Sequence, residues 1–191
     1  MTFKNSDLVN KDYVFSVSAG TKFEVVEKNK GGAGKCTFES THNVIFIGAR
    51  DNAPVVWCLA NRKCAEAAFC VVHSDSSSSL HIVEMKSSLT RKEFEKVIEQ
   101  ISGMYLSAIA TISIIEAPQP ANITAYVAYK ADNISTPPSA TLITSKTLVG
   151  GAELPGAKEW RTKEIPLPHG SKAKLVVGQR VAGDFDFGTV V

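Results

Sequence analysis

One stretch limits the folds open to this chain more than any other. A short apolar run over residues 80–83, Leu-His-Ile-Val, ends in Glu84-Met85-Lys86 and leads through a polar step into a capped amphipathic segment. Thr90 and Glu93 have the spacing of a capping box, in which each side chain satisfies a backbone N–H of the first helical turn. Phe94, Val97, Ile98, Ile101, Met104, Tyr105 and Ala108 then recur at steps of three and four. Lys92, Glu95, Lys96 and Glu99 fall on the other face. This period predicts one major amphipathic helix over residues 90–110. Such a helix buries its stripe only against a second layer, and Gly103 would let it come close to that layer.

The segments before the helix supply strands. Residues 13–17, 22–27, 43–48, 55–59 and 65–72 are β-branched or aromatic runs between turn signals. Residues 13–86 therefore read most simply as an antiparallel meander. Residues 1–12 are polar and read as poorly ordered or a short helix. After the main helix, residues 111–116 read as a strand or buried connector, and 123–130 alternates as a strand. From 131 the pattern weakens into short strands at 142–149 and 172–177, separated by Gly and Pro, with an acidic, aromatic tail at 183–187. The expected fold class is α/β: a mixed, largely antiparallel central sheet, one major helix packed on it and a β-rich C-terminal extension. Residues 1–130 would be the core and 131–191 an extension packed against it.

Composition removes several function classes. The net charge is +2, so a nucleic-acid contact has to come from a local patch. No run reaches the ~18 apolar residues that mark a membrane span. The first seven residues have no apolar leader core, so the expectation is a cytoplasmic protein without a membrane partner. The four cysteines, Cys36, Cys58, Cys64 and Cys70, form no CxxC pair and read as buried free thiols. A thiol nucleophile served by His42, His73, His81 or His169 has no local signature.

The chemistry concentrates at Glu84 and Lys86. Two residues apart on a strand, they project from one face, and a carboxylate beside an ammonium can hold a metal ion and a positive charge at one phosphate. The glycine-rich turn at 29–35 invites a phosphate-loop reading, because Gly34-Lys35 could end such a motif. It fails, since Asn29 stands at the first glycine position, Cys36 follows the lysine, and strand rather than helix comes next.

A sheet, Glu-x-Lys at a strand end, a helix and then another strand resemble the PD-(D/E)xK nuclease superfamily over residues 60–130. The resemblance implies a restriction-endonuclease-like fold and hydrolysis of nucleic-acid phosphodiesters, DNA more than RNA. It implies Mg²⁺, with Mn²⁺ as a substitute, held by two acidic residues. Glu84 would be the second of these, Met85 would offer its carbonyl, and Lys86 would be the lysine that positions or activates water. The first acidic ligand should lie on the preceding strand. Glu66 stands eighteen residues before Glu84, and Asp75, in the serine-rich loop, is the alternative. Gln100 matches a glutamine that some members place near the site. No Pro-Asp precedes the hairpin, and the region before it reads as strands where the family has a helix. The alternative function is a non-catalytic subunit with a degenerate nuclease-like fold that binds nucleic acid or, through its C-terminal third, a protein partner.

Lys28, Lys30 and Lys35 are candidate phosphate contacts on a basic hairpin. Trp57 reads as core. Trp160, among Lys158, Arg161 and Lys163, could stack on a base or anchor the C-terminal segment. Tyr126 and Tyr129 should face opposite ways on their strand. His73 and His81 could face one another across the serine-rich hairpin.

Overall fold

In the computed structural model the described residues are 3–27, 34–49, 60, 62–132 and 156–191. Lys28 and Lys30, the strand expected at 55–59 with Trp57 and Cys58, and the one expected at 142–149 lie outside them. The elements in order are β1 (Val14–Val17), β2 (Lys22–Val26), β3 (Lys35–Ser40), β4 (Asn43–Gly48), β5 (Ala67–Val72), β6 (Ser78–Leu89), α1 (Arg91–Ile114), β7 (Pro120–Asp132), α2 (Ala157–Thr162), β8 (Glu164–Pro166), β9 (Lys172–Gln179) and β10 (Asp184–Val190).

β6 lies at the centre. A seven-stranded sheet runs β1-β4-β5-β6-β7-β9-β8. β1, β4, β5 and β6 pair antiparallel, β6, β7 and β9 pair parallel, and β8 closes the edge antiparallel. The expected mixed sheet with one major helix is therefore present. Because β7 runs parallel to β6, the chain needs a crossover, and α1 provides it. Thr90 caps α1 by accepting the backbone N–H of Glu93 at 3.2 Å. Pro120 opens β7, a strand position where its missing N–H costs least.

Two expectations change. The meander is only β4–β5–β6, for β2 and β3 leave it and form a second, three-stranded sheet, β10-β3-β2. β1 pairs with β4 instead of β2. Residues 111–114, read as strand or connector, continue α1, because Ile112 and Ile115 are fully buried against the sheet. Packing thus outweighs the weak β preference of the Thr-Ile-Ser-Ile run.

The result is three layers. α1 covers one face of the large sheet, where Leu80, Ile82, Ala125 and Val127 meet Phe94, Val97, Ile101, Met104 and Ala108. The small sheet covers the other, where Phe69, Val71, Val83, Met85 and Tyr126 meet Phe23, Val25, Cys36 and Phe38. Burying each such large side chain contributes about 1.5–3 kcal/mol. Trp160 of α2 packs edge-on to Phe94 at 5.2 Å and carries Lys163 over its ring, so it anchors the C-terminal segment to α1.

One buried ion pair crosses between the layers. Arg180, just after β9, donates to Glu27 Oε2 at 2.8 Å, to the Lys86 carbonyl at 3.0 Å and to the Gly183 carbonyl at 3.4 Å. Its side chain is fully buried, and that of Glu27 nearly so. Gly34 lies against the guanidinium, where an added Cβ would overlap Nη1. This accounts for a glycine before Lys35 without any phosphate loop. Removing one partner of a buried pair leaves the other charge uncompensated, which costs about 3–5 kcal/mol. In urea denaturation Arg180→Met and Glu27→Leu should each lose stability on that scale. The double variant should recover part of the loss, and Gly34→Ala should be destabilised by displacing the guanidinium.

Candidate active site

β6 assigns its side chains by alternation. Leu80, Ile82, Glu84 and Lys86 point to the α1 face, and His81, Val83 and Met85 point to the small sheet. Glu84 is almost completely buried, and Lys86 is mostly buried beside it, with Nζ 2.7 Å from Glu84 Oε1. Lys86 also donates to Gln100 Oε1 of α1 at 2.8 Å, and the Gln100 amide donates to the Cys64 carbonyl at 3.4 Å. The structure therefore brings Glu84, Lys86 and Gln100 together, three turns into the helix and near the end of the strand.

Glu66 stands just before β5. Its N–H donates to the Val83 carbonyl at 3.0 Å, while Ala67 is already paired with Val83. Two residues thus oppose one, the arrangement of a β-bulge, which re-aims a side chain. Glu66 lines an open cleft of about 480 Å³ together with Phe15, Val25, Glu27 and Phe46. It is close enough to Glu84 for the two charges to interact, as is Glu27.

The electrostatics follow from burial. Desolvation pushes the Glu84 carboxyl up from 4.5 to about 7; Lys86 opposes the rise, and the charges of Glu66 and Glu27 add to it. The contact with Lys86 is short enough for an ion pair but poorly directed as a hydrogen bond, so both Glu84 oxygens lack a directed donor. Buried oxygens in this state are costly unless protonated or met by a cation.

Other candidates lie elsewhere. Asp75 sits in the β5–β6 turn, beyond the Val72–Ser78 pair, whereas Glu84 lies beyond Val83, paired with Ala67. At ~3.3 Å per residue the two are roughly 20 Å apart along the hairpin. Lys35 pairs with Glu24 at 2.9 Å on the small sheet. His81 does not meet His73; it is buried between Phe69 and Tyr126, with Ser79 Oγ at 2.9 Å and Tyr126 Oη at 3.2 Å. Burial pushes its pKa down to about 4, so it is neutral at pH 7. Cys36 and Cys70 are buried free thiols, and burial pushes Cys36 up to about 12, away from nucleophilic use. Tyr126 and Tyr129 do face opposite ways.

Sequence reasoning missed Glu27 and Arg180. They are 153 residues apart, and no local pattern marks either. A charged pair ending two apolar strands was the only available signal.

Glu84 predicts a distinct pH dependence. Its folded pKa lies above the unfolded value, so the folded state binds the extra proton between pH 4.5 and 7. Stability should fall as pH rises through that window, by about 3 kcal/mol at 1.36 kcal/mol per pKa unit. Chemical denaturation of Glu84→Gln from pH 4.5 to 8 should lack this component of the slope.

Comparison of the chain with protein-family models, with curated proteins and with solved structures found no match.

Proposed function

We propose that this protein is a metal-dependent nuclease that hydrolyses nucleic-acid phosphodiester bonds, acting on DNA more than RNA, with its reaction centre at Glu84, Lys86 and Glu66. The observation that carries the reading is Glu84: a buried carboxylate with undirected oxygens, within the field of a second carboxylate and ion-paired to a lysine held by a glutamine. The β4–β5–β6 sheet followed by α1 and a parallel β7 is consistent with the same reading.

A shared Mg²⁺ ion, or Mn²⁺ in its place, requires Glu66, which lines the cleft beside the small sheet, to turn toward Glu84 on the α1 face. Glu84 and Glu66 would hold it, since hard cations take carboxylate oxygens and keep several waters. When bound, the ion supplies neutralisation of phosphate charge and a water of lowered pKa. Lys86 would offer its ammonium to a phosphate oxygen or to the attacking water, from its position beside Glu84. Gln100 accepts from Lys86 and holds its ammonium at the site. α1 and the sheet exclude bulk water, which strengthens each of these charge interactions.

The alternative, a non-catalytic binding subunit, is favoured by three specific facts. Glu84 and Lys86 already neutralise each other, Arg180 occupies Glu27, and no group of three His, Cys, Asp or Glu side chains suited to a metal occurs among the described residues.

Incubation with plasmid and single-stranded DNA, with and without Mg²⁺ or Mn²⁺, tests the proposal. Metal-dependent cutting is expected, and Lys86→Ala should lower its rate on the order of 10²–10⁴-fold, the range for losing a positioned proton-transfer group. Gln100→Ala should lower it less. Folded protein that leaves both substrates intact would favour the binding role.

A further inference from the structure

The far end of the β4–β5 ladder carries a second cluster that the proposed reaction does not use. Asn43 pairs with Val72, so His42 and His73 are the next residues across the same antiparallel pair of strands. Opposed residues of such a pair bring their side chains together on one face. The two imidazoles meet with ring centres 5.1 Å apart and planes at 81°. Two imidazoles bound to one tetrahedral ion at about 2.0–2.1 Å have their ring centres roughly 5 Å apart. The observed ring spacing is of that size, which an edge-on ring contact also has.

The backbone holds both residues in place. His42 N–H donates to Ser40 Oγ at 3.2 Å, His73 N–H donates to the Ser77 carbonyl at 3.0 Å, and the His73 carbonyl accepts from Ser76 N–H at 3.2 Å. Both side chains are half-buried and line one open cleft of about 460 Å³ together with Thr41, Asn43 and Ser76. Asp75 is near enough for its charge to interact with His73, which adds a negative field.

We propose that His42 and His73 form a binding site for a first-row transition-metal dication such as Zn²⁺, Ni²⁺ or Cu²⁺, separate from the Glu84 centre. Imidazole nitrogens select these ions over Mg²⁺ and Ca²⁺, which prefer oxygen. Two protein ligands leave the remaining positions to water, so the site takes up and releases metal instead of locking it in. The site stands at the hairpin end opposite Glu84 and does not depend on the nuclease reading.

Calorimetric titration of the full chain with Zn²⁺ and Ni²⁺, and with Mg²⁺ as the control, tests the assignment. His42→Phe and His73→Phe keep an aromatic ring at each position and remove its nitrogens, so they separate metal binding from a plain ring contact. His42→Gln carries the test if a phenylalanine variant does not fold. One equivalent of Zn²⁺ or Ni²⁺ should bind the native chain and raise its thermal midpoint. Each variant should lose more than about tenfold in affinity, the lower bound for removing even an outer-shell partner. Cu²⁺ bound to the native chain should show two nitrogen ligands by electron paramagnetic resonance. Absence of binding, equal binding of Mg²⁺, or unchanged affinity in the variants would overturn the proposal.

Discussion

A carboxylate between a sheet and a helix has to be answered by a proton, a cation or a donor, and Glu84 has only a poorly aligned ammonium. The site is organised by that constraint. Lys86 lies on the same face because two residues of strand separate it from Glu84. Gln100 reaches Lys86 because α1 packs its apolar stripe on β6. Glu66, at the bulge before β5, adds a second negative charge whose field reaches Glu84. Burial and the charges of Glu66 and Glu27 raise the energy of ionised Glu84, and Lys86 offsets only part of that rise. Local structure that stores such a cost is expected at functional sites.

The small sheet and the C-terminal strands support this strand from behind. Met85 and Val83 turn away from α1 and pack on Phe38, Val25 and their neighbours, so β6 is covered on both faces. Arg180 reaches the same strand by donating to the Lys86 carbonyl, and its partner Glu27 comes from the end of β2. The guanidinium thus fastens the backbone of the catalytic candidate to both late and early parts of the chain. β10 pairs in parallel with β3, and β9 pairs with β7, so residues after 156 complete both sheets.

What the sequence reveals divides by the range of the interaction. The β6–α1–β7 unit is legible because its signals are local: an apolar run, a capping box, a stripe at helical spacing and an alternating strand. Glu84, Lys86 and Gln100 fall within it, and their meeting follows from those elements alone. The departure of β2 and β3 into a second sheet was not legible. Both strands alternate, and alternation suits a strand in either sheet; only the return of β10, some 150 residues later, decides between them. Residues 111–114 show the opposite error, where β-branched side chains suggested a strand and burial of Ile112 kept the helix going. His42 and His73 were both visible as histidines, but their meeting depends on the β4–β5 register, which sequence periodicity leaves open.

The central claim is that the Glu84 centre is built to receive a cation. The most direct test is the titration of the Glu84 side-chain carboxyl by carbon-13 NMR, with and without Mg²⁺. The account predicts a midpoint near 7 in the absence of the ion and a marked fall when it is added, since a bound cation favours the ionised form. A midpoint near the ordinary carboxylate value that Mg²⁺ does not move would contradict it.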